Sequence, residues 1–293
     1  MPHVRGPLMS ERVYVVAELG PSFVYGADPG VNERTWLRLL DIAADAGADC
    51  VKLQCKGLDG FYAKDDFSKP PHDASRAPFK TRGEYVSARE PDYHMLVDVA
   101  HEAAGRGMEW SASPWDASSV ELLASVGLPW VKVASACISD LPLLRLIAQM
   151  GVPVVLSTGG ATVQEIDDAV EVFDLDRLTL AVCTMSYPAL ADTLNLARIA
   201  SMSRRYGVPI GWSSHSPDPD HGAAAVHSGA VWFETHVTTG RLRWGPDHLA
   251  SLDPEGFRSC VWQIREAERV RGSAEIGVLP CEQPARERLR RSA

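Results

Sequence analysis

Eight short apolar runs, each followed by a longer stretch with helical spacing, limit this chain to very few folds. The runs cover 13–17, 50–53, 109–112, 130–134, 152–156, 178–182, 208–212 and 230–234. They are apolar on both faces, as strands of a parallel sheet covered on both sides must be. Between them, 36–46, 92–104, 118–124, 141–150, 162–173, 194–206 and 221–227 repeat apolar residues at helical spacing. Most of these stretches stop at or beside a glycine, a C-cap signal. Thr162 with Glu165 three residues on matches a capping box. Strand–helix alternation repeated in this way predicts an α/β fold, a (β/α)8 TIM barrel. An open doubly wound sheet is the alternative, but no Gly-x-Gly-x-x-Gly follows the first run.

The 293 residues fit two medium domains or one large α/β barrel of about 250 residues, and the strand–helix alternation selects the barrel. The pattern predicts an N-terminal extension at 1–11, a barrel catalytic domain at 12–273 and a C-terminal tail at 274–293. A polar insertion at 56–91 forms a long loop after strand 2, too long for a simple connection, and suits a lid or a substrate loop. The 29 basic and 38 acidic side chains leave a net charge of −9. With no basic block before the last residues, a nucleic-acid-binding surface is not expected. The longest uncharged stretch, 146–164, is divided by Gly151, Pro153, Gly159 and Gly160, so no membrane span is expected either. Six scattered cysteines form no Cys-x-x-Cys or zinc spacing, and residues 1–12 hold no secretory apolar core. A reducing, cytoplasmic compartment is the expectation.

A barrel of this kind carries its active site at the C-terminal strand ends. Lys52 and Lys132 lie within apolar runs on separate strands, and a buried ammonium is costly without a partner. With Ser135, Ser157 and Ser213 nearby, they describe a phosphate or carboxylate pocket. The alternative is two lysines snorkelling out at strand ends. His215 and His236 end adjacent strands, a donor pair that suits a catalytic divalent ion. The alternative is two loop histidines bonded to backbone. Glu18 suits a base, a substrate anchor or a helix cap. Asp247, after Gly-Pro, suits acid–base chemistry or a turn cap. Cys183 has no nucleophile's partner in sight and reads as a small buried hydrophobe.

A series of motifs then stands out. It runs Ala-Glu-Leu-Gly at 17–20, Ala-Gly-Ala-Asp-Cys-Val-Lys-Leu-Gln at 46–54, Lys-Val-Ala-Ser at 132–135 and Leu-Ser-Thr-Gly-Gly at 156–160. Cys-Thr-Met-Ser-Tyr-Pro at 183–188, Gly-Trp-Ser-Ser-His-Ser at 211–216, Glu-Thr-His at 234–236 and Gly-Pro-Asp-His-Leu-Ala-Ser-Leu at 245–252 complete it. In this order, one at nearly every strand end, the series resembles the N-acetylneuraminate (sialic acid) synthase family. The resemblance implies a transferase that condenses phosphoenolpyruvate with an aldehyde or aldose. Such an enzyme depends on a divalent metal, manganese or magnesium, releases phosphate and yields a 2-keto-3-deoxy acid. It implies that Lys52, Lys132, Ser135, Ser157 and Ser213 hold phosphoenolpyruvate and that His215 and His236 bind the metal. Glu18, Gln54, Tyr187 and Asp247 would then position the acceptor or move protons.

The departures from the family pattern fall on the acceptor side. Pro21-Ser22-Phe23 stands where the family has an Asn-His pair, Cys137 and Ser214 stand where it has acids, and the Asn expected before Tyr-Pro is missing around Met185. An acceptor other than N-acetylmannosamine is therefore expected. The chain stops at Arg290-Arg291-Ser292-Ala293, which resembles the junction to the family's C-terminal antifreeze-like domain, so that domain is expected to be absent. In its place the 56–91 insertion, with Arg82, Tyr85 and Arg89, is the candidate lid and acceptor contact. Oligomeric state stays open, a homodimer included. A metal-dependent pyruvate aldolase and a non-catalytic ligand-binding barrel are the competing readings.

Overall fold

Every one of the eight apolar runs becomes a strand. The strands are β1 (Tyr14–Glu18), β2 (Cys50–Cys55), β3 (Glu109–Pro114), β4 (Val131–Val133), β5 (Val154–Ser157), β6 (Leu178–Cys183), β7 (Ile210–Ser214) and β8 (Trp232–His236). They pair in parallel in chain order, and β8 closes back on β1. The structure, a computed structural model, describes residues 12–57, 66–71, 73 and 75–291. The predicted (β/α)8 barrel is the observed fold. Several strands begin two residues after their apolar run does. At β5 and β7 the reason is a proline: Pro153 and Pro209 have no N–H for the ladder. Their carbonyls still accept from the Val131 and Leu180 amides, each at 3.0 Å.

The helices are α1 (Pro29–Ala46), α2 (Arg82–Arg89), α3 (Tyr93–Gly105), α4 (Ala117–Val126), α5 (Leu141–Gln149), α6 (Val163–Val170), α7 (Arg198–Tyr206), α8 (His221–His227), α9 (Pro254–Arg271) and α10 (Gln283–Leu289). The capping box at Thr162 and Glu165 is present. The structure departs from the apolar pattern at three places. The helix expected from 194 starts at Arg198, because Asn195 takes a left-handed φ of 50° that no helix continues through. The insertion at 56–91 is not simply a loop: Thr81 and Glu84 form a capping box that starts α2. Helix α9 has no counterpart in the sequence reading, although Asp253 caps it, Pro254 opens it and Phe257, Val261 and Ile264 bury one face. The predicted extension at 1–11 lies outside the described residues, as does part of the insertion.

The core has two layers. One fills the space between the sheet and the surrounding helices. The other plugs the barrel from within: Tyr14, Val16, Cys50, Trp130, Val155, Ala181 and Trp232. The Trp130 indole N–H donates to the Tyr14 hydroxyl at 3.3 Å, and the Trp130 and Trp232 rings meet edge-on at 6.1 Å. Tyr14 and Trp232 begin their strands, so the plug sits at the N-terminal end and a site has room only at the other. Among the described residues no helix is long and apolar enough to cross a membrane.

Candidate active site

Strand register sets the site. Glu18 pairs across with Lys52 on one side and His236 on the other. Ser214 pairs with Thr235, which puts His215 and His236 side by side one residue further on. The strand ends surround a deep cavity of about 90 Å³ lined by Glu18, Lys52, Gln54, Lys132, Ser135, Ser157, Tyr187, Ser213, His215 and His236. All of these were singled out in the sequence, and the fold brings them together. Asp247 lines the adjoining cavity of about 370 Å³, which shares Gln54, Tyr187 and His236 with the deep one.

Neither lysine snorkels. Lys52 is 2% exposed and Lys132 is 6% exposed. Lys52 is ion-paired with Glu18, lies 3.7 Å from Glu234 and donates to Ser113 Oγ at 3.1 Å. Lys132 is ion-paired with Glu234 and donates to Ser213 Oγ at 2.9 Å. The buried Glu234 carboxylate thus faces both ammonium groups. Burial pushes its carboxyl up, but Lys132 and Lys52 outweigh this and hold it below the usual carboxylate range. Burial likewise pulls the Lys52 ammonium down, and Glu18 and Glu234 outweigh that and hold it raised. Glu18 also accepts from Gln54 Nε2 at 3.1 Å. It caps no helix, because Asp28 caps α1.

The serines form a hydroxyl cluster. Ser135 Oγ donates to Ser157 Oγ at 2.9 Å and accepts from the Gly159 amide at 3.0 Å. The glycine is required there: a Cβ on it would stand 2.8 Å from Ser135 Oγ and 2.9 Å from Met185 Cγ. Ser213 Oγ sits between Lys132 and Glu234, donating to the latter at 3.2 Å.

The two imidazoles lie with ring centroids 5.6 Å apart. His215 Nδ1 donates to the Thr184 carbonyl at 2.9 Å, so in the neutral ring Nε2 carries the lone pair; burial pulls the imidazole pKa down, but Cys183 and the Thr184 carbonyl outweigh it and hold it raised. His236 Nδ1 is buried and has no hydrogen-bond partner among the described residues. Burial lowers the His236 pKa and keeps the ring neutral. Tyr187 covers His215, ring on ring at 4.0 Å, and burial pushes its phenol up. Cys183 is buried with Sγ 3.8 Å from His215 Nδ1. Asp247 precedes the turn at His248–Ala250 without capping it through its side chain. Elsewhere, His221 bonds Ser216, His248 bonds Thr238 and His227 is exposed at the end of α8.

Arg82 and Tyr85 lie on α2, outside the deep cavity. Arg82 pairs with Asp66 at 3.3 Å. Tyr85 packs on Phe79 and on Trp244 of the β8 loop, at 5.5 and 5.0 Å between centroids. Both line a third cavity that opens beside the other two. Two site residues escaped the sequence reading as participants. Ser113 receives the Lys52 bond and Glu234 faces both lysines. The signal for Glu234 was available: a carboxylate inside the apolar run 230–234 needs a buried partner as much as a lysine does.

The family model described as "NeuB family" matches residues 39–276. The chain belongs to the NeuB family. Among NeuB relatives, the N,N'-diacetyllegionaminic acid synthase of Legionella pneumophila subsp. pneumophila is 32% identical, over 91% of this chain and 78% of its own. The N-acetylneuraminate-9-phosphate synthase of Homo sapiens is 29% identical, over 95% of this chain and 77% of its own. The crystal structure of N-acetylneuraminic acid (sialic acid) synthetase from Leptospira borgpetersenii serovar Hardjo-bovis, in complex with citrate, superposes with a TM-score of 0.80. It is 27% identical, over 96% of this chain and 93% of its own. As a NeuB protein this chain is an enzyme, a transferase of carbohydrate biosynthesis on a TIM barrel.

Proposed function

We propose that this NeuB enzyme condenses phosphoenolpyruvate with an aldose or other aldehyde and releases phosphate, forming a 2-keto-3-deoxy acid. The relatives' names as sugar-acid synthases support the reaction class. The observation that carries the donor is the pair of buried lysines around Glu234. An ammonium has three N–H donors. Lys132 gives two of them to Ser213 and Glu234, and the third is available to an anion. The donor's phosphate and carboxylate would take their places among Lys132, Lys52, Ser135, Ser157 and Ser213.

The residues also fit a divalent ion. Two neutral-capable imidazoles end adjacent strands, one with Nδ1 buried and unpartnered, the other with Nδ1 fixed by a carbonyl. No group of three His, Cys, Asp or Glu among the described residues completes a cage. His215 and His236 would therefore hold manganese or magnesium with water and substrate oxygens filling the other positions. When bound, the ion would supply Lewis acidity at the acceptor's carbonyl oxygen.

The chain's own residues account for the other steps. The carbon 2–carbon 3 π electrons of the donor form the bond from carbon 3 to the aldehyde carbon, leaving carbon 2 electron-deficient, while the carbonyl electron pair moves to its oxygen, which takes a proton. Asp247 and Tyr187, lining the middle cavity beside His236, would hold the acceptor and deliver that proton. Tyr187, its pKa raised by burial, acts as an O–H donor. Water adds at carbon 2 and gives up a proton. Glu18, oriented by Lys52 and Gln54, would receive it. The bond between carbon 2 and the phosphate oxygen then breaks, the carbon 2 hydroxyl gives its proton to the departing phosphate, and its oxygen becomes the ketone. The acceptor differs from N-acetylmannosamine in this reading, because Pro21, Cys137 and Ser214 replace polar or acidic groups. A cytoplasmic location accords with a phosphoenolpyruvate-consuming enzyme whose cysteines remain thiols.

Calorimetric titration with phosphoenolpyruvate, with and without manganese, tests the reading. Binding is expected for the wild type and a loss of at least about a hundredfold, about 2.7 kcal/mol, for Lys132→Ala. Absence of binding overturns the donor assignment. A Lys132→Ala protein that still adds pyruvate to aldehydes at full rate establishes an aldolase instead.

A further inference from the structure

Three cavities adjoin at the barrel mouth. The deep one shares Gln54, Tyr187 and His236 with the middle one. The middle one shares Lys56, Arg89 and Pro246 with an outer cavity of about 670 Å³. A molecule held by its aldehyde at the histidine pair would lead outward, past these shared wall residues, toward that third space. Its walls come from the insertion after β2 and the loop after β8. Phe79, Tyr85 and Trp244 pack together across the gap, and Arg76 Nη2 donates to the Leu242 carbonyl at 3.1 Å.

The charge of this outer cavity is opposite to that of the molecule. Lys56, Arg76, Arg82, Arg89, Arg241 and Arg243 line it, and among the described lining residues Asp73 is the one carboxylate; Asp73, Asp66 and Glu90 stand 3.8, 3.3 and 3.5 Å from Arg76, Arg82 and Arg89. The whole chain carries a net charge of −9. Even with these ion pairs, cations outnumber carboxylates at this opening among the described residues, a local field that favours an anion. Two further observations point to a ligand there. Arg241 Nη2 is anchored on the Leu249 carbonyl at 3.0 Å, while its Nε is buried with no acceptor among the described residues. Lys56 is crowded: burial and then the Arg89 guanidinium push its ammonium down to about 8. An anion between them would relieve that repulsion.

We infer that the acceptor carries a negatively charged group, a phosphate ester or a carboxylate, at the end remote from its aldehyde, and that this arginine-lined cavity binds it. The inference rests on the synthase reading for which end of the acceptor enters first. Arginine suits the task because its planar fork meets phosphate or carboxylate oxygens two at a time.

The test is calorimetric, on manganese-loaded protein first titrated with phosphoenolpyruvate. That first titration reports on the synthase reading by itself. The protein is then titrated with N-acetylmannosamine, its 6-phosphate and N-acetylmannosaminuronate, three sugars differing only at the remote carbon. An anionic sugar is expected to bind at least about tenfold more tightly than the neutral one. The better of the two anions identifies phosphate or carboxylate as the natural group. The double variant Arg76→Gln/Arg243→Gln is expected to erase the preference while leaving phosphoenolpyruvate affinity unchanged, which also shows that it folds. Equal affinity for all three sugars, tighter binding of the neutral one, absence of binding by any of them, or a preference that survives the double variant overturns the inference. If phosphoenolpyruvate does not bind, the donor assignment falls. The same three sugars, compared on that protein, still decide the anion site.

Discussion

Glu234 is the residue on which the charges of the site depend. It faces Lys132 and Lys52 together, and Glu18 neutralises only one of them. Glu234→Gln would leave a buried ammonium without its partner, at a cost of about 3–5 kcal/mol. The pH dependence follows from the depressed carboxyl. Its contribution is complete above the ordinary value of 4.5, shrinks as pH falls below that, and is gone below the folded value. Urea denaturation of wild type and variant is therefore expected to show a wide gap at neutral pH that narrows in acid. Gly159 makes a second case. Gly159→Ala pushes a methyl group against Ser135 and Met185. The expected result is phosphoenolpyruvate affinity weakened about tenfold or more together with a melting temperature lower by several degrees, since overpacking costs about 1–3 kcal/mol and here displaces the hydroxyl cluster.

At the scale of elements, α2 is the piece the sequence reading described only as a loop with useful residues. A capping box starts it, and it presents Arg82, Tyr85 and Arg89 to the outer cavity. Thr81→Ala removes the cap and destabilises the helix by about 1 kcal/mol. Acceptor KM is expected to rise while phosphoenolpyruvate affinity holds, a separation that steady-state kinetics with calorimetry reads directly. The strands were legible because a parallel strand buried on both faces must be a continuous apolar run. Helix α9 was equally available from Asp253-Pro254 and the spacing of Phe257, Val261 and Ile264. The start of α7 was not, because the left-handed turn at Asn195 leaves no mark in the apolar pattern.

For the whole molecule, the two ends of the barrel have different duties. The Tyr14–Trp130–Trp232 plug fills the barrel below the strand ends that carry the site, and the two meet where Lys132 Nζ lies over the Trp232 ring, 5.6 Å from its centroid. Trp130→Ala is expected to cost about 3–5 kcal/mol in thermal unfolding. Phosphoenolpyruvate affinity, measured well below the melting temperature, is expected to stay unchanged. A loss of affinity matching the loss of stability would show that the plug and the site form one cooperative unit.

The amino-acid order alone determined the strand count, the parallel sheet, the barrel and which residues stand at the strand ends. Burial acts on each strand separately, so each left its own apolar signature. Partnership is a different matter. Lys132 and Glu234 are 102 positions apart on strands that are not neighbours, and they meet only because the sheet closes. Both lysines therefore read as cations waiting for a ligand until closure gave them carboxylates. The outer cavity arose in the same way: arginines at 76–89 and at 241–243 share one opening only after the β2 insertion packs on the β8 loop. Local burial is written in local sequence. The convergence of charges from distant strands and loops is set by tertiary geometry.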